Sequence, residues 1–319
     1  MRKIICMSLT AIIAIAGVVL NIIFGGQSLL PEQIETLKVL SIICGVSMVY
    51  CFVVGEISRN NSQMDKLWSI LPIAYAWVVA GMGGMKPRLI IMAVLITIWG
   101  ARLTINFARK GAYSIKFWSG EEDYRWVVLR KNKFLNGKIR WAIFDLFFIS
   151  IYQNALVLAI CLPMVAVQSV DSPLNYIDII GGVAVAGFIL LETIADEQQM
   201  KFQTTKYKML GEGKKLEELP NPYRRGFNTT GVWAFAAHPN YFSEQAIWIC
   251  LYIFVIGAGV ANMYVFNWSM IGCLVLVLLF LGSAEFGESV SSSKYPEYKR
   301  YLSKVTRFVP LIKYKPLDE

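Results

Sequence analysis

The sequence predicts an all-helical, multi-pass membrane protein. Of its 319 residues, 56% are hydrophobic and 17% charged, apolar runs long enough to cross a bilayer recur along the chain, and basic residues collect in every second connection. A soluble domain averages about 45–50% apolar and about 25% charged residues, and the mean hydropathy here is +0.50. A spanning helix takes about 20 mostly apolar residues.

Taken in order, eight segments satisfy that length, at 4–24, 37–57, 67–85, 87–106, 142–167, 176–195, 241–260 and 265–287. Placing the N terminus in the cytoplasm puts all but three (Lys38, Lys86 and Arg88) of the 31 lysines and arginines on the inner side. Such asymmetry is the signature of cytoplasmic loops, so both termini are expected to be cytoplasmic. The charge of +9 is thereby explained by topology, and nucleic-acid binding is not expected. The first segment, led by Met1-Arg2-Lys3, reads as a retained helix, with a cleaved signal peptide ending near Ala14-Ile-Ala-Gly17 as the alternative. The expected division is an N-terminal helix with its outer loop, 1–36, followed by one membrane domain, 37–319. Six cysteines, all in apolar segments, and one histidine leave no disulfide scaffold and no zinc or iron–sulfur site. No metal is expected.

Ionisable groups within spanning helices are costly and mark function. Glu56, Asp65, Lys66, Arg102, Asp145, Glu192, Asp196, Glu244, Glu285 and Glu288 fall at cytoplasmic helix ends, and Asp178 alone at an outer end. That depth predicts a cavity opening to the cytoplasm. A transporter would place polar residues near the midplane, which is almost free of charge here.

The most informative stretch is Gly231-Val-Trp-Ala-Phe-Ala-Ala-His238-Pro239-Asn240-Tyr241-Phe242-Ser243-Glu244. Pro239 suits the first turn of a helix, where its missing N–H is no loss. Asn240 and Glu244, four apart, then share one face. Arg224 and Arg225 lie just upstream, where cations beside a helix N terminus can seat phosphates. Glu192 and Asp196 are likewise four apart, and Gln199 continues their face. By contrast, Lys201–Lys215 reads as a solvated basic face. Glu122, Asp123 and Arg125 read equally well as a solvated ion-pair turn.

These residues resemble the C-terminal signature of the steroid 5-alpha-reductase family, most closely its bacterial branch. Further landmarks follow in order: Asp65-x-x-Trp68, Trp99-Gly-x-Arg102-Leu, Glu122-Asp123-Tyr124-Arg125-Trp126, Glu192-x-x-x-Asp196-x-Gln198, and a tail with Tyr298, Tyr301, Phe308 and Pro310. The resemblance covers roughly 40–315. It implies a membrane enzyme of the bacterial cytoplasmic membrane, acting as a monomer. The enzyme would bind NADPH in a cytoplasm-facing cavity and reduce a carbon–carbon double bond conjugated to a ketone in a lipophilic substrate, with membrane lipids around it. Carried over by position, Glu192, Asp196, His238, Asn240, Tyr241 and Glu244 would hold the cofactor from two helices. Arg102, Asp123, Arg125, Arg224, Arg225, Glu288 and Tyr301 would complete its site.

Two departures bear on mechanism. Trp99 stands where steroid reductases carry a Tyr that polarises the ketone, and Asp65 or Lys66 falls near their partner Glu. An indole donates a hydrogen bond but no proton near neutral pH. Either another acid serves, with Asp65 the best candidate, or the substrate differs from a steroid; the expected catalytic set is Asp65, Trp99 and Glu244. Ala237 also replaces an Arg usual before His-Pro, leaving Arg224 or Arg225 to meet a phosphate. A related membrane core with an Arg-His-Pro-x-Tyr motif serves isoprenylcysteine and phospholipid methyltransferases. An S-adenosylmethionine-dependent methyltransferase is therefore the alternative reading. Glu244 and the Glu-Asp-Tyr-Arg motif favour the reductase.

Overall fold

The computed structural model describes residues 2–311 and 313–314, with side chains from residue 10 onward. Met1, Lys315 and the side chains of Arg2, Lys3 and Cys6 lie outside what is described.

Twelve α-helices account for most of the described chain: α1 (Arg2–Phe24), α2 (Pro31–Ser58), α3 (Gln63–Leu67), α4 (Leu71–Met82), α5 (Pro87–Arg109), α6 (Tyr124–Arg130), α7 (Lys138–Phe144), α8 (Gln153–Val167), α9 (Tyr176–Gly211), α10 (Pro239–Gly257), α11 (Ile271–Lys294) and α12 (Tyr298–Lys304). Among the described residues there is no strand, only the isolated bridges Ala236↔Thr306 and Asn262↔Phe266. Helix underlies each of the eight apolar segments. Five helical stretches are long and apolar enough to cross a membrane: Pro31–Ser58, Pro87–Arg109, Lys138–Val167, Tyr176–Gly211 and Trp268–Lys294. Thr10–Phe24 and Leu71–Met82 are shorter apolar helices. This is the pattern of a multi-pass membrane protein, in which helices satisfy every backbone group internally.

Proline sets several starts. Pro31, Pro87 and Pro239 each open a helix where the N–H would be unpaired anyway. Gly83 caps the end of α4. Two elements differ from the sequence expectation. The segment 142–167 is not one α-helix: between α7 and α8 the backbone widens into a π-helical stretch, Asp145–Tyr152. Phe144 at the end of α7 stacks in a column with Phe148 and Tyr152 of that stretch, with centroids 5.1 and 5.5 Å apart. Long π-helical stretches are rare. The second difference is α9, which continues past the expected end at 195, through Gly211. Glu, Gln, Lys and Met, all good helix formers, carry it beyond its apolar part.

The chain divides into two compact units, residues 1–17, 183–249 and 274–319 forming the first and 18–182 with 250–273 the second. In the second unit, α2, α4, α5 and α8 pack around Leu40, Tyr75, Val79, Met92, Ile96, Trp99, Val157 and Ile160, all buried. Gly100 lets α5 close on the Ser69 carbonyl, which a Cβ would strike. Near one end of this unit Arg88 and Asp178 form a buried two-pronged ion pair at 2.8 and 2.9 Å. Arg88 also donates to the Ser172 and Pro173 carbonyls. Asp178, which the sequence sets apart from the other helix-end acids, thus has as its partner Arg88, one of the three cations that the expected topology leaves off the inner side.

The first unit has an aromatic centre of Phe227, Tyr298, Tyr301 and Tyr314. A second cluster brings Leu281, Ala284 and Phe308 against Ala11, Tyr241 and Phe242.

Candidate functional site

The residues singled out by sequence fall into both units. The first unit holds ten of them: Glu192, Asp196, Arg224, Arg225, His238, Asn240, Tyr241, Glu244, Glu288 and Tyr301. Because α10 begins at Pro239, Asn240 and Glu244 do share one face. On α9, Glu192, Asp196, Gln199, Gln203 and Lys206 repeat at spacings of four and three, one polar stripe along the helix.

A hydrogen bond joins the two faces: the Asn240 amide donates from Nδ2 to Asp196 Oδ1 at 3.3 Å. With its nitrogen on the carboxyl oxygen, the amide has one end committed. Asn240 Oδ1 therefore points away as an acceptor, and it is buried without a hydrogen-bond partner. Gln199 Oε1 on the same stripe is in the same condition. A buried acceptor left unpaired costs about 1–3 kcal/mol, so Asn240 Oδ1 calls for a ligand group that donates. Four residues on, Glu244 is buried and accepts from Trp248 Nε1 at 3.3 Å.

A second knot fastens the start of α10 to the C-terminal chain. Residues 306–307 run beside 236–238, with Ala237 N donating to Thr306 O and His238 N to Arg307 O, both at 2.9 Å. Glu288 receives Arg307 on both oxygens, at 3.0 and 2.8 Å, and lies 3.2 Å from His238 Nε2. The His238 ring stacks on Tyr241, centroids 5.1 Å apart. Tyr301 is buried, its hydroxyl set between the Trp233 and Ala236 carbonyls. Burial pushes its phenol well above the ordinary range, as do nearby Tyr298, Tyr314 and Glu288. Glu288 and Tyr301 thus brace the stretch 233–238. Arg225 is buried, with its Nε 3.6 Å from Glu297.

The second unit holds Asp65, Trp99, Arg102, Asp123 and Arg125. The Glu122–Arg125 turn is half-buried rather than freely solvated. It is drawn onto residues 60–66 by Asn61 N donating to Glu122 (2.8 Å), Asp123 N donating to Ser62 Oγ (2.9 Å) and Arg125 donating to Asp65 (2.9 Å). Trp126 Nε1 donates to the other Asp65 oxygen at 2.6 Å. Burial raises the Asp65 carboxyl above its usual range, against the pull of Arg125. Burial acts the same way on Asp123, but the Arg125 charge and its hydrogen bonds outweigh it and hold that carboxyl low. Lys66 is buried too, donating to the Phe117 and Ser119 carbonyls at 2.7 Å, and desolvation lowers its ammonium. Trp99 is fully buried on α5.

The family model described as "Protein of unknown function (DUF1295)" matches residues 51–305. The chain belongs to that family. An uncharacterized protein, C594.04c, of Schizosaccharomyces pombe is similar at 33% identity, over 83% of this chain and 79% of the fungal protein. No solved structure matches. The matched stretch takes in all fifteen residues named above, from Asp65 to Tyr301.

Sequence reasoning passes over Arg307, Gln203, Asn228, Thr229 and Lys206. Arg307 reads there only as a tail cation. The neutral amides and the hydroxyl carry no charge signal. Lys206 falls within the stretch expected to be a solvated basic face, yet it is 2% exposed and donates to Gly226 O at 2.8 Å.

Proposed function

We propose that this chain is an eight-span membrane reductase with both termini in the cytoplasm, using NADPH to saturate a carbon–carbon double bond conjugated to a ketone in a lipophilic substrate. The observation that carries the reading is the Asn240–Asp196 contact, which leaves Asn240 Oδ1 a buried acceptor without a partner. A carboxamide N–H, such as the nicotinamide end of the cofactor presents, is the kind of donor that site lacks. The order and spacing of the motifs shared with steroid 5-alpha-reductases support the same reading.

When bound, NADPH supplies the hydride. The protein's part is to hold, orient and protonate. Asp196 holds the Asn240 amide in one orientation, and Glu244 and Glu192 line the same two faces. The His238–Glu288–Arg307 knot keeps the start of α10 in place. A conjugated ketone needs a donor at its oxygen as charge develops there. It also needs a proton for the carbon that does not receive hydride. Trp99 can give only a hydrogen bond, so Asp65, raised by burial and oriented by Arg125 and Trp126, is the proposed acid.

The test is NADPH binding by purified Asn240→Ala and Glu244→Gln variants. Loss of binding in both, with the ligand-free melting midpoint unchanged, supports the assigned roles. Wild-type affinity in both refutes them.

A further inference from the structure

Between Gly226 and Trp233 the chain is strapped along α9. Lys206 Nζ donates to Gly226 O (2.8 Å), Val232 N to Gln198 Oε1 (2.9 Å), and Trp233 Nε1 to Ala195 O (2.9 Å). Later strap residues meet earlier helix residues, so the two run in opposite directions. Asn228 and Thr229 therefore fall alongside the part of α9 that carries Gln203 and Gln199.

This seam concentrates unmet polar groups. Asn228 Nδ2, Thr229 Oγ1, Gln199 Oε1 and Gln203 Oε1 are all buried without a hydrogen-bond partner. Asn228 and Thr229 are each only 4% exposed. Most buried polar groups in a native protein are paired, and four exceptions along one seam point to a ligand. The Asn228 amide cannot be turned to hide its donor, because Oδ1 accepts from Thr230 N (3.0 Å) and Thr230 Oγ1 (2.9 Å). Its Nδ2 is thus a fixed donor, and the Thr229 hydroxyl is a second. Gln199 and Gln203 are not so constrained and can present either end.

The charge has the same sense. The buried Lys206 ammonium has a carbonyl and the Tyr295 hydroxyl as acceptors and lies over the Phe202, Tyr207 and Tyr295 rings. Among the described residues no carboxylate pairs with it, and the neighbouring charge is Lys294. A buried cation without an anion is costly. Fixed donors beside an uncompensated cation suit an oxyanion with several acceptor oxygens.

We propose that the strap 226–233 and α9 hold a phosphate ester of the bound dinucleotide, with Asn228 Nδ2 and Thr229 Oγ1 donating to it and Lys206 supplying charge at one end. This rests on the dinucleotide reading above. Arg225, turned to Glu297, is then not the principal phosphate ligand.

The experiment measures NADPH and NADH affinity of the detergent-solubilised full chain by thermal stabilisation, for wild type, Asn228→Asp and Thr229→Val. Asn228→Asp keeps the oxygen that caps Thr230 but exchanges the inward donor for an anion. It should weaken NADPH at least about tenfold, the scale of one lost charge-assisted hydrogen bond. Thr229→Val keeps the shape and should weaken it several-fold, and it carries the test alone if Asn228→Asp does not fold. Equal losses for both dinucleotides place the shared pyrophosphate in the seam, and a loss confined to NADPH places the 2′-phosphate there. Unchanged or tighter binding in both variants overturns the seam and leaves the reductase reading standing. A wild-type protein that binds neither dinucleotide overturns both.

Discussion

Replacing Asp178 by asparagine perturbs a well-formed buried ion pair. In the native chain Arg88 Nε and Nη2 donate to the two Asp178 oxygens at 2.9 and 2.8 Å, and both side chains are at most 4% exposed. Removing one partner of a buried pair costs about 3–5 kcal/mol, because the other charge stays buried without compensation. The substituted amide would retain one acceptor, and the Arg88 contacts to Ser172 and Pro173 persist. The expected loss is therefore near the lower end, about 3 kcal/mol. Removing both charges in Arg88→Met with Asp178→Leu leaves no buried ion, and such exchanges are neutral or stabilising by up to about 4 kcal/mol. The double variant should regain most of what Asp178→Asn loses. Denaturation midpoints of the three proteins in one detergent measure this. The reasoning fails if Asp178→Asn melts with the wild type, or if the double variant melts below Asp178→Asn.

Two further outcomes are expected. The Tyr301 phenol is held protonated by burial, so its folded pKa lies above the unfolded value of about 10. Its contribution is intact below that value and is lost as pH rises above it. Tyr301→Phe should cost about 1 kcal/mol for the lost hydrogen bond and flatten the alkaline fall in stability. Stability curves of equal slope above pH about 10 would contradict the assignment. On the proposed mechanism, Asp65→Asn should lower turnover by about 10²–10⁴-fold, the scale of general acid catalysis, with NADPH affinity unchanged. Wild-type turnover in that variant would remove Asp65 from the mechanism.

Much of the fold is legible in the sequence because a bilayer permits few solutions. Each apolar run of spanning length is helical, and Pro239 opens α10 as its ring geometry requires. The fixed i, i+4 spacing likewise puts Asn240 with Glu244, and Glu192 with Asp196, without knowledge of any contact. What cannot be read depends on distant partners. Arg88 and Asp178 are 90 residues apart, and neither carries a local mark of the other. Nothing in Asp145–Tyr152 distinguishes a π-helix from an ordinary one in the sequence. Lys206 looks like any surface lysine because its acceptors, Gly226 and Tyr295, lie 20 and 89 residues onward. Glu122, Asp123 and Arg125 are recognisable as an ion-pair turn, but residues 60–66, which bury it, are not recognisable as its seat. Asn228 and Thr229 are neutral and aperiodic, and only the strap's hydrogen bonds give them significance.

On the proposed function the first unit binds a nicotinamide dinucleotide. The most direct measurement is the thermal stabilisation of the detergent-solubilised protein by NADPH and, separately, by S-adenosylmethionine. A ligand at about 100 times its dissociation constant adds about 2.7 kcal/mol to the folded state. NADPH is predicted to raise the midpoint by the shift that this stabilisation produces, and S-adenosylmethionine to leave it unchanged. Stabilisation by S-adenosylmethionine alone would make His238–Tyr241 part of a methyl-transfer site and contradict the reductase.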